Sequence, residues 1–334
     1  MPTAEHGLPA RRLLHSCTSS PSGAARSASV TGMWQPQPGW HPLPSGTSPS
    51  TVGVWRAVVG DEPVAVKRLG APGEHDPPEL SDPHHFAYWR RGADVVTSGV
   101  LAHSQGLRPP VRSYAVEDVE GITITEDWVE DACNNGLFAA HALGRFAGTS
   151  VPDVPWLARD QLRDRLRRTE RRGGWTTLAR TTVADVAEHL WERRGTFLDR
   201  LDALPQVLQH GDPTPGNLPG REGDDVVAID WSCLGTGQVG GDLGYYLLSA
   251  REEFEPLLEA YLMGVPEGVA DREQVSLGAR VVAVYTALSR AEWALSRVAK
   301  GEGALAGKFR HPAVAPHLRA LQRQFPLIEG LLEA

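Results

Sequence analysis

The side chains of this sequence that are best suited to chemistry lie in residues 207–231. Asp212 is followed by Asn217, and Asp230 comes directly after a short apolar run. A hairpin turn at 220–225 would bring Asp230 back beside Asn217. Their oxygens suit Mg²⁺, which prefers hard oxygen ligands and keeps waters and substrate phosphates, and Asp212 is left to accept a hydroxyl proton. A base, a metal clamp and phosphate positioning are the parts that phosphoryl transfer to an alcohol requires.

The spacing matters more than any one of these residues. A single aspartate before a strand is usually a turn or capping residue, so Asp212 is informative only because Asn217 and Asp230 accompany it. The step from Asp212 to Asn217 equals the step from Asp to Asn in the kinase catalytic loop H-R-D-L-x-x-x-N.

The run from His210 to Asn217 has the pattern H-G-D-x-x-x-x-N, and an apolar strand that ends in Asp230 follows it. This signature resembles the aminoglycoside phosphotransferase and choline kinase superfamily, whose members have a protein-kinase-like fold. The similarity extends over most of residues 48–260. Three further segments share it: VAVK at 64–67 (the strand with the nucleotide lysine), ITITEDWV at 122–129 (the strand leading into the hinge) and the helix before the catalytic loop at 197–212.

The resemblance implies an α+β, protein-kinase-like two-lobe fold, with a small strand-rich N-terminal lobe and a larger helical C-terminal lobe. We expect the nucleotide-binding lobe at 34–128 and the helical lobe, with the catalytic loop and the acceptor site, at 129–334. Residues 1–33 are rich in Ser, Ala, Arg and Pro, which predicts a disordered extension. Met33 is a candidate for the true start of the chain.

The resemblance also implies a role for each residue of the signature. Asp212 would be the catalytic base that orients the acceptor hydroxyl, and His210 would support the catalytic loop. Asn217 and Asp230 would hold Mg²⁺. Lys67 would contact the α- and β-phosphates of ATP, although by itself a lysine in a valine-rich strand is more often a solvent-exposed strand residue.

Two further sets of positions are carried over in the same way. Asp242 matches the family's buried aspartate that binds the backbone of the catalytic loop. The hinge would meet adenine through its backbone, and it consists of Glu126, Asp127, Trp128 and Val129.

One position departs from the family pattern. Kinase-like folds pair the strand lysine with a glutamate on the following helix, but Gly92 stands where that glutamate is expected. Asp94 would lie about 200° around the helix and face away. Lys67 is therefore expected to lack its partner or to find one elsewhere, such as Glu79 or Asp82, and catalysis is expected to be slow or conditional.

Glycine-rich segments give weaker signals. SGTSPSTVG at 45–53 could cover the phosphates or form an ordinary turn. No P-loop motif G-x-x-x-x-G-K-[ST] is present. Residues 235–240 match G-x-G-x-x-G, but four residues separate them from the preceding strand and no second strand with an acidic end follows, so we reject a dinucleotide-binding function. We expect this stretch to be a flexible segment after the metal-binding aspartate.

Charged segments suggest what the acceptor is. Residues 117–131 hold seven carboxylates and no Lys or Arg, which could attract a cationic acceptor or could be a solvated hairpin end. The arginine-rich stretch 156–172 is expected to be a solvated helix face with i,i+4 ion pairs, rather than a contact for RNA or an anionic substrate. His75, His84 and His85 lack the spacing of transition-metal ligands.

Composition sets the remaining limits. With 33 Lys and Arg against 41 Asp and Glu, the chain is too acidic for a general nucleic-acid binder. Three cysteines without CxxC spacing predict neither a disulfide framework nor a zinc site. No apolar stretch reaches the length of a membrane span. A cytoplasmic protein with no nucleic-acid or membrane partner is expected, and its oligomeric state is left open.

Hydrophobic periodicity predicts the order of elements. Hairpins are expected at 51–69, with a turn longer than two residues at Gly60 and Asp61, and at 111–129. A helix is expected at 84–105. Later helices are expected at 137–148, 156–172, 183–204, 242–263, 272–299 and 312–333.

These features predict an ATP- and Mg²⁺-dependent phosphotransferase that acts on a hydroxyl of a small molecule, such as an aminoglycoside-like or other amine-containing acceptor. Choline, homoserine, a fructosamine or another sugar are open alternatives. From a different class, Gly92 favours an ATP-binding regulatory module with weak or no catalysis.

Overall fold

The computed structural model describes residues 34–44, 50–172, 184–299, 311–312 and 314–332. The strands of these residues are β1 (His41–Leu43), β2 (Thr51–Val59), β3 (Glu62–Gly70), β4 (Leu107–Arg108), β5 (Ser113–Asp118), β6 (Gly121–Asp127), β7 (Gln206–Gln209), β8 (Gly220–Glu222), β9 (Asp225–Val227) and β10 (Gly235–Gln238). Their α-helices are α1 (Arg91–Ser98), α2 (Gly136–Ala147), α3 (Gln161–Arg171), α4 (Ala184–Glu192), α5 (Arg194–Asp202), α6 (Gly241–Leu247), α7 (Phe254–Gly264) and α8 (Arg272–Ala299), followed by Ala315–Arg323 and Phe325–Leu332.

The first part of the chain forms an antiparallel five-stranded sheet in the order β1-β2-β3-β6-β5. Val59 pairs with Glu62, so the loop between β2 and β3 is the two-residue Gly60–Asp61 turn, with Gly60 at a φ of 65°. The expected longer turn is wrong because Pro63 lies within β3. Its carbonyl accepts a hydrogen bond from the Trp128 N–H at 3.1 Å.

Alternating side chains give this sheet two different faces. One face packs Leu69, Ile122 and Ile124 against Ala93 of α1. Lys67 lies opposite Ile124 in the sheet register, so it projects from this same face. The opposite face is covered by a cluster of aromatic rings with centroids 5.3–6.0 Å apart, formed by Trp34, Trp40 and Trp55.

Helix α1 is much shorter than the helix expected at 84–105. It ends at Ser98 because Gly99 adopts a left-handed conformation, with a φ of 65°, which stops an α-helix. Before α1 the chain makes turns, whose carbonyls point at the first residue of the helix, Arg91.

Arg91 is fully buried and donates hydrogen bonds to five backbone carbonyls at 2.7–3.2 Å. Three of these carbonyls lie just before α1, and the others belong to the second part of the chain. The acceptors are Pro83, His85, Phe86, Trp156 and Ser232. Burial lowers the pKa of Arg91 to about 10, so the side chain keeps its charge at neutral pH and fastens α1 to the helical part.

The rest of the chain packs helices around α8, whose side chains Val281, Val284, Tyr285 and Leu288 are buried in the core. Three of the expected long helices are interrupted. The helix expected at 183–204 divides into α4 and α5, and the one expected at 242–263 into α6 and α7. The last, expected at 312–333, divides at Gln324, two residues before Pro326. Among the described helices, none has the length and apolar character needed to cross a membrane.

Two small sheets connect the segments of 206–238. Strand β9 pairs with β8 through the expected hairpin and runs parallel to β4, while β7 pairs with β10. The prediction that the glycine-rich stretch is flexible is therefore wrong for Gly235–Gln238, which forms β10. Its glycines serve close packing, since a Cβ on Gly235 would lie 2.3 Å from the Ala158 carbonyl oxygen and one on Gly237 2.4 Å from Gln209 Oε1.

The hydrogen bonds of Arg91 predict a large effect on stability. Arg91→Met leaves buried carbonyls without donors, and we expect it to lower the free energy of unfolding by about 3–5 kcal/mol, measured by urea denaturation. The neighbouring Arg90→Met is the control. Arg90 is one-third exposed and pairs with Asp94 and Glu117 at the surface, so its loss should cost about 1 kcal/mol or less. Equal losses for the two variants would show that the carbonyls do not depend on Arg91.

Candidate functional site

A buried carboxylate shapes the loop between β7 and β8. Asp242, at the start of α6, accepts hydrogen bonds from the backbone N–H groups of His210 (2.7 Å) and Gly211 (3.0 Å). Burial raises the pKa of Asp242 to about 6, although these two hydrogen bonds oppose the rise. Gly211 has a φ of 80°, a conformation that favours glycine, and the chain turns there to present Asp212.

His210 occupies the centre of this loop. Its side chain is fully buried, and Nε2 lies 3.0 Å from the carbonyl oxygen of Ile229 while Nδ1 lies 3.3 Å from the backbone N–H of Asp212. Nε2 must therefore donate and Nδ1 accept, which fixes the tautomer. His210 joins the residue before Asp230 to Asp212, and it touches both through the backbone.

Asp212 and Asn217 are in direct contact. The Asn217 Nδ2 group donates to the Asp212 carbonyl at 2.8 Å and to Asp212 Oδ2 at 3.2 Å. The carbonyl of Asn217 accepts from the N–H of Ile229 at 2.9 Å. This bond brings Asn217 alongside the chain just before Asp230.

Asp230 and Lys67 form an ion pair, with Oδ1 and Nζ 2.7 Å apart. Asp230 has a left-handed backbone with a φ of 58°, rare for a residue other than glycine. Burial would raise its pKa, but Lys67 lowers the pKa of Asp230 to about 2. For Lys67, burial lowers the pKa and Asp230 raises it, with a net rise. Both groups are charged at neutral pH.

Glu126 lies on the same face of the sheet as Lys67. It pairs with Ala65, which is two residues before Lys67 on β3. Removal from water raises the pKa of Glu126 to about 7; the charge of Lys67 opposes this rise and that of Asp230 adds to it. Glu126 is therefore a carboxyl that changes charge near neutral pH within reach of the Lys67–Asp230 pair.

The other residues of the expected hinge connect the sheet to the hairpin of β8 and β9. Asp127 ends β6 and pairs with Arg112 at 2.9 Å. The ring of Trp128 lies under the Arg56 guanidinium, 4.4 Å from it. Val129 packs on Gly220 of β8, where a Cβ would come within 2.5 Å of Val129 Cγ1. The expected hinge thus runs beside the hairpin that follows the catalytic loop.

The donor set agrees with a magnesium ion that binds together with phosphates. In the described residues no three His, Cys, Asp or Glu side chains are grouped to hold a metal, and Mg²⁺ in phosphoryl-transfer sites needs only one or two carboxylates because phosphates and waters complete its shell. Asp230 supplies a carboxylate and Asn217 an amide oxygen, whose Nδ2 partner is already engaged by Asp212. The residues present therefore fit this ion.

Lys67 does find a partner elsewhere, but neither of the two residues suggested for it, Glu79 and Asp82, is that partner. Glu79 binds Arg171, and Asp82 accepts a hydrogen bond from the N–H of His84. The prediction that Asp94 faces away is confirmed, because Asp94 pairs with Arg90 at 3.1 Å. Lys67 instead pairs with Asp230, a residue 163 positions away, which takes the place of the glutamate that is missing at Gly92.

Three further residues surround Asp212: the sequence predicted Arg165 to lie on a solvated helix face and did not single out Arg290 or Tyr245. Arg290 Nη2 lies 3.9 Å from Asp212 Oδ1 and donates to the Tyr245 hydroxyl. Arg165 donates to the Gly211 carbonyl at 3.4 Å. Tyr245 could have been found, since it lies three residues after Asp242 on one helix face. The two arginines come from α3 and α8, and only tertiary packing brings them to the loop.

The arginine-rich helix is accordingly not a plain solvated face. Arg165 and Arg168 lie over the ring of Phe86 at 4.6 and 4.7 Å. The i,i+3 pair of Arg167 with Asp164 is one of the short-range pairs that do occur.

The acidic segment does not form one rim beside the site. Its residues at the far end of the β5–β6 hairpin are bound by other groups: Glu117 by Arg90, Asp118 by Arg68, and Glu120 by the N–H of Trp34. Residues 45–49, which belong to the stretch expected to cover the phosphates or to form a turn, lie outside the described residues.

The chain matches a family model in sequence and solved structures in fold. A family model described as the phosphotransferase enzyme family matches residues 39–277. A search of curated proteins finds no match.

Solved structures with similar folds have low sequence identity. A choline/ethanolamine kinase family protein from Mesorhizobium loti has a TM-score of 0.54 at 16% identity, with 86% of this chain and 92% of that one covered. Choline kinase LicA from Streptococcus pneumoniae gives 0.55 at 13%, covering 84% and 91%. The GDP complex of aminoglycoside 2'-phosphotransferase-IIIa gives 0.55 at 10%, covering 85% and 91%. The expected α+β, protein-kinase-like fold class is confirmed.

The raised pKa of Glu126 predicts a pH-dependent stability. A carboxyl with a higher pKa in the folded than in the unfolded protein contributes less stability as the pH rises through that interval, here from about 4.5 to about 7. Between pH 5 and pH 8 we expect wild type to lose about 1–2 kcal/mol of unfolding free energy relative to Glu126→Gln, allowing for solvent screening. Urea denaturation at both pH values measures this, with Glu62→Gln as a control for the loss of a charge on the sheet. A constant difference between wild type and Glu126→Gln would contradict it.

Proposed function

The chain belongs to the phosphotransferase enzyme family, and on that premise we propose that it transfers the γ-phosphoryl group of ATP to a hydroxyl of a small molecule. The observation that carries this proposal is the convergence of four side chains, three from residues 212–230 and the fourth, Lys67, from β3. Lys67 contacts Asp230 and Asn217 contacts Asp212, while His210 joins the two pairs. Their types match the parts of a phosphoryl-transfer site.

The nucleotide would lie between the sheet and the catalytic hairpin. The hinge backbone at Glu126, Asp127, Trp128 and Val129 would meet adenine, and Lys67 would contact the α- and β-phosphates. We assign residues 34–128 to the nucleotide-binding lobe and 129–334 to the lobe with the catalytic loop and the acceptor.

Asp212 would orient the acceptor hydroxyl and accept its proton late in the transfer. His210 and Asp242 would act before the reaction, because they fix the loop that presents Asp212. Asn217 and Asp230 would hold Mg²⁺, which when bound offsets the negative charge of the phosphates. Most of the rate gain would come from positioning and electrostatics.

A second candidate function, an ATP-binding regulatory module, has one observation in its favour. Helix α1 offers Lys67 no carboxylate, since Gly92 has no side chain and Asp94 binds Arg90. Lys67 then has to exchange Asp230 for the phosphates when ATP binds. An enzyme consumes ATP in proportion to an added acceptor, whereas a module binds ATP without turnover.

The assignment of Asp212 and Asp230 predicts a loss of activity without unfolding. Asp212→Asn should lower kcat by at least about 100-fold, since general-base catalysis alone contributes about 10²–10⁴-fold. Asp230→Asn should lower kcat by at least about as much, because it removes the charged ligand of the Mg²⁺ that offsets the phosphate charge. Coupled ADP release with Mg-ATP measures this across amines, amino alcohols, sugars, hydroxy acids and antibiotics. Asp224→Asn, in the exposed turn between β8 and β9, is the control that should keep wild-type turnover. Full turnover in folded Asp212→Asn would refute the assignment.

The glycine on α1 predicts a gain from a new carboxylate. A Cβ at Gly92 meets Ile124 Cδ1 at 3.5 Å, an ordinary contact, and Ile124 is the register partner of Lys67. Gly92→Glu should tighten ATP binding or raise turnover by about threefold to tenfold, as expected for about 1 kcal/mol of ion-pair energy. Gly92→Gln has the same shape without the charge and should not do so. If Gly92→Glu changes neither ATP affinity nor turnover, the glycine does not limit catalysis.

A further inference from the structure

We propose that the acceptor carries an anionic oxygen group, a carboxylate or a phosphate ester, close to the hydroxyl that receives the phosphoryl group. This inference rests on the proposed function. It concerns Oδ1 of Asp212, which Arg290 approaches, whereas Asn217 binds Oδ2. The acceptor would lie on this Oδ1 side, with the transferred phosphoryl group between it and the nucleotide.

Two guanidinium groups border that side. Arg290 of α8 lies 3.9 Å from Asp212 Oδ1, and its guanidinium lies 4.5 Å from the centre of the Tyr245 ring. Arg165 of α3 lies between two rings, 4.6 Å from that of Phe86 and 5.1 Å from that of Tyr245. Ring contacts and the hydroxyl of Tyr245 thus hold both cations in place next to the catalytic carboxylate.

The charge around Asp212 is unbalanced. One carboxylate faces the two guanidinium groups of Arg165 and Arg290. Neighbouring arginines on and after α3 have carboxylates of their own: Arg163 pairs with Asp202, Arg167 with Asp164, Arg171 with Glu79 and Arg172 with Glu292. Within the part of the chain that the structure describes, positive charge is therefore in excess on the acceptor side of Asp212.

This arrangement has a chemical consequence for the acceptor. A guanidinium has five N–H donors in a planar fork that matches carboxylate and phosphate oxygens. The side chain of Arg290 is 31% exposed, so part of it is accessible to a ligand from solvent. An anionic group that binds them leaves Asp212 free for the hydroxyl, whereas an amine at the same place would meet two like charges. Three of the seven carboxylates of the acidic segment are already bound by arginines, namely Glu117, Asp118 and Asp127.

The first test measures anion binding directly. Inorganic phosphate and malonate are titrated by calorimetry into the wild-type protein with Mg-ADP, and the same titrations are made with Arg290→Gln. We expect at least one anion to bind wild type and to bind Arg290→Gln at least about tenfold more weakly, the loss expected for hydrogen bonds to a charged group. Phosphate alone would indicate a phosphate ester acceptor and malonate alone a carboxylate.

Two further variants make the titrations decisive. Arg165→Gln should weaken anion binding as Arg290→Gln does, so the result does not depend on one variant. Arg167→Gln, on the same helix but paired with Asp164 at the surface, should bind anions like wild type. No binding of either anion to wild type, or equal binding to Arg290→Gln, overturns the inference.

The second test separates this inference from the proposed function. ADP release is measured with 3-hydroxypropionate, its amide and 3-aminopropanol, with glycerol 3-phosphate and glycerol, and with kanamycin. Preference for the anionic members that is lost in Arg290→Gln, with the KM for ATP unchanged, supports the inference. Asp212-dependent transfer to the neutral or cationic members at equal or higher kcat/KM overturns the anionic class and leaves the proposed function intact. Arg290-dependent anion binding without any transfer overturns the proposed function instead.

Discussion

The buried carboxylate of Asp242 is the interaction on which the candidate site depends. It takes two consecutive backbone N–H groups out of the usual pairing and holds the chain at Gly211 in a conformation that turns Asp212 outward. His210 then transmits this geometry to the chain before Asp230 through its two ring nitrogens. A buried charge is costly unless it is hydrogen-bonded, so the loop and Asp242 stabilise each other. The carboxylates of Asp212 and Asp230 are therefore positioned by a loop that Asp242 and His210 hold in place.

The ion pair between Lys67 and Asp230 connects this loop region to the five-stranded sheet. Lys67 comes from β3, and Asp230 follows β9, so the pair fixes the distance between the strand-rich and helical parts where the proposed nucleotide site lies. Glu126 adds a carboxyl whose charge depends on pH near neutrality. The electrostatics of this cleft are therefore set by three groups from three separate strands or strand ends.

Much of this could be predicted from the sequence, and the exceptions have physical causes. Asp212, Asn217 and Asp230 are close in sequence, so their spacing predicts a common loop and hairpin. Asp230 was not predicted as the partner of Lys67, because an ion pair between residues 163 positions apart leaves no local pattern in the sequence. The glycines of Gly235–Gln238 suggested flexibility, yet they are required where strands and side chains pack too closely for a Cβ. Arg165 was assigned to a solvated face and Arg290 was not singled out, because helices distant in sequence bring the two together.

The five carbonyls bound by Arg91 bear on how this molecule could be controlled. In protein kinases the helix after the lysine strand is a moving part, and its position switches activity. Here the first residue of that helix, Arg91, donates hydrogen bonds to the carbonyls of Trp156 and Ser232 in the helical part and to carbonyls of the preceding turns. Swinging the helix would leave several buried carbonyls without donors, a cost of several kcal/mol. Any ligand that moves helix α1 therefore has to supply a free energy of this size, which sets how strongly it must prefer the moved state.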